Sequence, residues 1–304
     1  MSRPVGSTGR LRTARPTYVG IGAQKCASTW LHRILAEHPE VAVPVAKEID
    51  FFSYRYDHGY QWYERCFAGD GSLVRARGEV SPSYFCEPSV PARIARYAPD
   101  VKILLSLREP VERALSNHRH EVREGHFAGP DLSFEAGLAN NPMYVEQGLY
   151  ATHLKRWLEH FPREQLLVVL MDEVELRPDE VCRTVYRFLG VDPAFTPAGQ
   201  NERYNRSFAS RARWLTGVKD TVYAATRAPG LRWAWDAAAG LGLRSVYRGI
   251  NEVPSGAVIP RPRPETIVQL RRRFEPELRE LEALLGRSFE DWRKDRATPV
   301  EAVA

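Results

Sequence analysis

Three short apolar runs set the terms for this chain: YVGIG at 18–22, VKILLSL at 101–107 and LLVVLM at 166–171. Each gives way to residues of helical character rather than to a tight turn and a second strand. Strands this short and largely apolar suit burial on both faces. Strands separated by helices have no hairpin to pair through, so they join by crossovers into a parallel sheet covered by helices. Two weaker runs, VAV at 41–43 and GEV at 78–80, add candidate strands. The expected architecture is therefore α/β, with three layers around a central parallel sheet.

The helices follow from spacing and punctuation. Residues 29–37 read as a helix closed by His38-Pro39. The helix after the 101–107 strand carries Pro110 in its first turn, where a missing N–H costs nothing. GLYATHLKRWLEHF (148–161) has apolar residues at helical spacing, and PDEVCRTVYRFLG (178–190) starts near Pro178 and stops at Gly190. PETIVQLRRRFEPELRELEALLG (264–286) is strongly helical, with Pro276 expected to break or kink it. The 205–255 segment mixes small residues, arginines and Trp214, Trp233 and Trp235. It reads as a helical cap whose apolar face serves core packing, an acceptor-binding lid or contact with a membrane surface.

Bulk properties narrow the function classes. With 304 residues, 43% of them apolar, the chain buries a sizeable core, and residues 17–304 read as one domain behind a flexible tail at 1–16. That tail is basic and polar without an apolar stretch, and no run approaches the length of a membrane span, so the expected compartment is the cytoplasm. The four cysteines, Cys26, Cys66, Cys86 and Cys182, form no CxxC pair, which argues against zinc and redox motifs and fits a reducing compartment. A net charge of +5 favours anionic ligands in general, but no lysine or arginine run marks a nucleic-acid arm.

Three constellations carry chemistry. The first strand ends in Gly22-Ala23-Gln24-Lys25-Cys26-Ala27-Ser28-Thr29 and enters a helix. A helix N-terminus attracts an oxyanion, two hydroxyls add donors and Lys25 adds a charge. The Walker order fails, because the lysine precedes the turn, and Ser/Thr capping of an ordinary helix explains the hydroxyls equally well. In SLREPVERALSNHRH (106–120), Arg108 sits at the carboxyl end of a strand, where ligands bind open α/β sheets. Ser116 follows two helical turns later, and His120 shares its face. Arg113 reads as an ion-pair partner for Glu109 or Glu112. Finally, Lys47-Glu48 precedes Ile49-Asp50-Phe51-Phe52. Glu48 is either a proton acceptor beside aromatics or half of a surface ion pair.

QKCAST, KEIDFF, GEVSPSY (78–84) and LREPVERALS (107–116), in this order and spacing, resemble the sulfotransferases that use 3′-phosphoadenosine 5′-phosphosulfate (PAPS). The similarity is to bacterial relatives of the heparan sulfate sulfotransferase group. GLYATHLKRWLEHFP, RFLGV (187–191) and LLGRSFEDW (284–292) extend it, so that it covers roughly 17–195 and 264–292. The resemblance implies a P-loop-like fold. It implies that Lys25 faces the bridging oxygen of the phosphosulfate, with Ser28, Thr29 and the loop from Cys26 and Ala27 to Trp30 around its phosphate. It implies Arg108 and Ser116 at the 3′-phosphate, Glu48 as acceptor base, His120 near the reaction centre, and 3′,5′-ADP as product without a metal.

Val80 departs from the pattern, since the glycan enzymes carry lysine there; Lys47 is a candidate replacement. The late basic loop over the 3′-phosphate has no clean match, and Arg206 or Arg211 would take its part. The expected acceptor is a small metabolite, glycoside or glycolipid, offering a hydroxyl or an amine. Two other classes stay open: an ATP-dependent kinase with a degenerate P-loop, in which Asp172-Glu173 imitates a metal-binding carboxylate, and a non-catalytic nucleotide-binding protein.

Overall fold

The apolar runs become neighbours in a single five-stranded sheet of order β2-β3-β1-β4-β5. Its strands are β1 (Tyr18–Gly22), β2 (Val41–Ala42), β3 (Ala76–Val80), β4 (Lys102–Leu107) and β5 (Leu166–Leu170), and every pairing is parallel. The computed structural model describes residues 15–67, 73–127, 129–201, 208–210, 252–254 and 259–294. Helices fill the crossovers: α1 (Ser28–Glu37), α2 (Phe51–Tyr54), α3 (Tyr60–Arg65), α4 (Val90–Tyr97), α5 (Pro110–Glu124), α6 (Phe134–Asn140), α7 (Met143–Glu146), α8 (Tyr150–Leu158), α9 (Met171–Leu176) and α10 (Pro178–Leu189). The chain then forms β6 (Phe208–Ser210), β7 (Glu252–Pro254), α11 (Pro264–Leu285) and α12 (Glu290–Arg293). The strands and helices read from the apolar pattern are thus present, and Gly190 ends α10 in the left-handed conformation that favours glycine.

The chain divides into two compact units. The first holds Met1–Glu109, Leu149–Tyr204 and Glu277–Arg287, and so contains the whole sheet. β1 is buried along its entire length between β3 and β4. Leu31, Ile34 and Leu35 of α1 share a core with Val181, Val185 and Tyr186 of α10 and with Val80 and Leu104 of the sheet. An aromatic cluster stands beside it. Phe51 stacks on Tyr63 with ring centres 4.6 Å apart, Phe52 meets Tyr84 edge-on at 5.8 Å, and Tyr60 stacks on Tyr97 at 4.4 Å. Thr152 of α8 bonds Glu277 through its amide and hydroxyl, Lys155 pairs with Glu280, and Arg287 pairs with Glu173 at 2.7 Å. These contacts, with buried Leu278 and Leu281, tie the last part of α11 into this unit.

The second unit holds Pro110–Gly148, Asn205–Pro276 and Ser288–Ala304. Here Arg113 is not a surface ion-pair residue. It is fully buried on α5, and its guanidinium donates to Gln147 Oε1 (3.0 Å) and to the carbonyls of Tyr144 (2.5 Å) and Met143 (3.4 Å). A guanidinium satisfies several carbonyls at once because its donors form a rigid fork. His118 is buried as well. Its Nε2–H donates to the Leu132 carbonyl at 3.0 Å, which leaves Nδ1 to accept from the Tyr144 hydroxyl at 3.0 Å.

One further expectation changes: α11 runs from Pro264 to Leu285 with Pro276 inside it, so the helix is not broken there. Of the 205–255 segment, the described residues are Phe208–Ser210 and Glu252–Pro254, which pair antiparallel; the helical cap expected there otherwise lies outside the described residues. Trp214, Trp233 and Trp235 lie outside the described residues. No described helix is long and apolar enough to cross a membrane.

The sheet tolerates little change next to β1. A Cβ on Gly20 would lie 2.8 Å from a methyl of Val80. Gly20→Ala should therefore destabilise the protein by about 1–3 kcal/mol, read as a lower urea midpoint at unchanged slope. Val80→Ala placed in the same chain should recover part of that loss.

Candidate functional site

Parallel pairing puts the loops after β1, β2, β3 and β4 at one edge of the sheet, and Lys25, Glu48 and Arg108 lie on them. The β1 loop leaves the sheet through a register shift between Gly20 and Gly22. Gly22 adopts φ +133° with the Pro82 carbonyl oxygen 2.9 Å from where a Cβ would stand, so glycine is required there. The Ala23 amide donates to the Ser106 carbonyl (2.7 Å), and the Ser106 hydroxyl returns a bond to the Gly22 carbonyl (3.0 Å). Lys25 and Ala27 both take left-handed backbone (φ 66°), with Cys26 between them. Alternation of this kind turns successive N–H groups toward a common concavity, a form suited to an anion.

Ala27 is the N-cap of α1, and no side chain caps the helix. The hydroxyls of Ser28 and Thr29 are therefore not the caps of an ordinary helix start. The side chains around the loop are distributed as follows. Cys26 is buried, its thiol donating to the Gln24 carbonyl at 3.4 Å and lying 3.7 Å from the Tyr150 hydroxyl. Tyr150 donates in turn to the Arg108 carbonyl at 2.9 Å, so one phenol spans the β1 and β4 loops. Trp30 turns into the core and its indole N–H donates to the Gln200 carbonyl at 2.8 Å, which leaves only its backbone on the loop side.

Lys47 and Glu48 form an ion pair at 2.7 Å, as the plainer reading of that dipeptide had it. The same Lys47 ammonium also donates to Thr29 Oγ1 at 2.8 Å. One cation thus joins a hydroxyl in the first turn of α1 to the candidate base on the β2 loop. The aromatics after Glu48 do not enclose it. Phe51 and Phe52 are buried in the aromatic cluster, whereas the Glu48 side chain is 42% exposed. Glu48 (φ 61°) and Asp50 (φ 54°) are both left-handed, a conformation that costs an ordinary residue about 1–2 kcal/mol. Asp50 accepts from the Ser83 hydroxyl at 2.6 Å, and burial raises its carboxyl above the ordinary range.

Val80 is 1% exposed and packs against Gly20, so that position holds core, not a cation. Its neighbour Glu79 belongs to none of the three constellations read from the sequence. It is also 1% exposed and accepts from the hydroxyls of Ser81 and Tyr84, each at 2.5 Å, and from the Ile49 amide at 3.2 Å. Burial pushes its carboxyl up to about 7, against the pull of those hydrogen bonds. An acid inside a strand between Gly78 and Val80 was the available signal. His32 stands one turn beyond Thr29; burial first and the Lys47 charge second lower its basicity.

Ser116 is half-buried on α5 in the second unit. His120 lies on the same helix, with Nδ1 2.6 Å from an Arg123 guanidinium nitrogen and 3.6 Å from Glu124. Arg206 and Arg211 lie outside the described residues. Glu173 is committed to Arg287 and to the Leu170 amide. Among the described residues, no group of three or more His, Cys, Asp or Glu side chains gathers in a form that could hold a metal.

Comparison with known proteins supplies the family. A family profile described as "Sulfotransferase domain" matches residues 17–209, well over half of the chain. This chain belongs to the sulfotransferase domain family. Human heparan sulfate glucosamine 3-O-sulfotransferase 3B1 is 33% identical over 193 residues, covering 60% of this chain and 47% of that protein. The bifunctional heparan sulfate N-deacetylase/N-sulfotransferase 1 of Caenorhabditis elegans is 32% identical over 217 residues, covering 66% and 25%. This sulfotransferase-family chain thus spans less than half the length of those relatives. A crystal structure of a sulfotransferase from Alicyclobacillus acidocaldarius superposes with a TM-score of 0.66 at 28% identity, covering 92% of this chain and all of that one.

The raised carboxyl of Glu79 has a measurable consequence. An unfolded glutamate titrates near about 4.3, so between there and about 7 the folded chain holds a proton that the unfolded chain has released. This group's contribution to stability is full below the lower value and is lost as pH rises through the upper one. Urea midpoints should fall from pH 5 to 7.5 more steeply in the wild type than in Glu79→Gln. Parallel curves would contradict the raised carboxyl.

Proposed function

We propose that this chain moves a sulfuryl group from PAPS to a hydroxyl or amine of an acceptor, releasing 3′,5′-ADP. The observation that carries this reading is the Lys47 ammonium set between Thr29 Oγ1 and Glu48 Oε1. It links the anion-binding loop to the carboxylate best placed to take a proton, and it supplies the positive charge that Val80 does not. The left-handed turn at Lys25 and Ala27, without a side-chain cap on α1, suits the 5′-phosphosulfate. Lys25, Ser28, Thr29 and the backbone of Cys26, Ala27 and Trp30 would hold that group, with Arg108 and Ser116 at the 3′-phosphate. Arg206 and Arg211 are proposed to close over it. His120 enters through the family resemblance alone, as a group orienting the acceptor.

In this reading Glu48 accepts the acceptor's proton as the new bond to sulfur forms. The bond from sulfur to the bridging oxygen breaks, its electron pair stays on the 3′,5′-ADP phosphate, and Lys25 offsets the charge that develops there. Fixed cations aimed at developing charge need no reorganisation during reaction. A transferred sulfuryl carries less charge than a phosphoryl, so lysines and arginines suffice without a divalent ion. The heparan sulfate relatives bear names that specify sugar amines and hydroxyls. For this chain the acceptor is proposed to be a glycoside, a glycolipid or another small metabolite.

Calorimetry should show 3′,5′-ADP binding that is indifferent to Mg²⁺; a requirement for Mg²⁺ and a preference for ATP would favour a kinase instead. Labelled PAPS offered with a panel of acceptors, followed by mass spectrometry, identifies the product. Lys25→Ala should lower turnover about a hundredfold or more. Glu48→Gln should keep 3′,5′-ADP affinity and lose transfer. Arg108→Ala should weaken 3′,5′-ADP far more than 5′-AMP, and equal weakening of both would remove it from the 3′-phosphate.

A further inference from the structure

The main chain that follows Glu48 hangs from one buried carboxylate. The Ile49 amide donates to Glu79 Oε2 at 3.2 Å. The Asp50 amide donates to Ser81 Oγ at 3.0 Å, and that hydroxyl donates to Glu79 Oε2 at 2.5 Å. The Phe52 amide donates to Tyr84 Oη at 3.3 Å, and that hydroxyl donates to Glu79 Oε1 at 2.5 Å. Three N–H groups across four residues therefore end, directly or through one hydroxyl, on the same side chain. The two left-handed residues, Glu48 and Asp50, flank the amide that reaches it without an intermediary. Left-handed backbone at ordinary residues persists only where surrounding contacts over-determine it.

We infer that Glu79 is a positioning residue for the reaction: through Ile49, Ser81 and Tyr84 it holds the β2 loop in the left-handed turn that presents Glu48 and Lys47 to Thr29. This rests on the reading of Glu48 as the acceptor's base. Glu79 is 1% exposed and touches no reacting atom; its effect reaches the chemistry only through the loop. A glutamine there keeps the size of the side chain but offers one acceptor oxygen in place of two, so the Ser81, Tyr84 and Ile49 donors cannot all be met. Loss of Glu79 should then alter turnover without altering the nucleotide loop, which is carried by β1.

The test compares wild type, Glu79→Gln, Ser81→Ala and Tyr84→Phe in three measurements: 3′,5′-ADP affinity by calorimetry, kcat and KM for transfer from labelled PAPS, and amide hydrogen exchange over residues 48–54. For Glu79→Gln we expect affinity within twofold of wild type, kcat lowered at least tenfold at little-changed acceptor KM, and at least tenfold faster exchange at Ile49, Asp50 and Phe52. Ser81→Ala and Tyr84→Phe each remove one link, and each should lower kcat at least threefold with affinity kept. They decide the matter if Glu79→Gln does not fold. Wild-type kcat in these variants overturns the inference, as does a parallel loss of affinity and kcat, which marks a general weakening of the fold. If the wild type transfers sulfuryl to no acceptor, the sulfotransferase reading fails, and unchanged exchange at the three amides would separately overturn the role of Glu79.

Discussion

The rest of the molecule depends on parallel pairing of β1 with β3 on one side and β4 on the other. Parallel strands send their carboxyl ends to the same edge, so the loops that follow must share it. Lys25 leaves β1 there, Glu48 comes after β2, Ser81 and Tyr84 after β3, and Arg108 after β4. The close approach that the pairing demands also selects the residues inside the sheet. Gly20 leaves space for Val80, and Gly22 turns the chain under the Pro82 carbonyl. Nothing in the side chains of the candidate site creates this convergence. It is a property of the backbone that the side chains exploit.

Much of that arrangement was legible in the amino-acid sequence because burial on both faces leaves a plain mark. YVGIG, KILLSL and LLVVL read as strands without the help of periodicity, and Pro110, Pro178 and Gly190 punctuated the helices where they stand. The candidate site was legible in its positions and less so in its links. Lys47 and Glu48 are adjacent, so their pairing was foreseeable. The reach of Lys47 to Thr29 joins residues 18 apart, and no local pattern reports it. A charged residue at helical spacing beside acids looks solvated, but the carbonyls that bury Arg113 come from α7, some thirty residues on. Of the break or kink that Pro276 leads one to expect, the break is absent, since α11 continues through it.

Glu79 and Val80 show how one strand divides its labour by alternation. Successive residues of a strand face opposite sides of the sheet. Val80 joins the aliphatic core with α1 and α10, while Glu79 accepts from the Tyr84 phenol, and the ionisation of Tyr84 and Tyr63 is pushed up by burial first and by the acid second. The side that carries the acid also carries the aromatic cluster holding Phe51 and Phe52. The β2 loop is thus fixed by the buried rings of Phe51 and Phe52 and by the hydrogen bonds of the Ile49, Asp50 and Phe52 amides. The positive charge expected on β3 has no room there, and the cation that stands near Glu48 comes from the loop itself.

The contribution of Glu277–Arg287 to the first unit bears on how the chain can be made and cut. The family profile ends at residue 209, but the sheet unit is completed by Glu277 against Thr152, Glu280 against Lys155 and Arg287 against Glu173. During vectorial synthesis the sheet strands emerge long before the strip that closes over α8 and α9. The unit stays unfinished while almost seventy further residues are translated. A fragment trimmed to the boundaries of the conserved profile would carry all five strands and still lack its final seam.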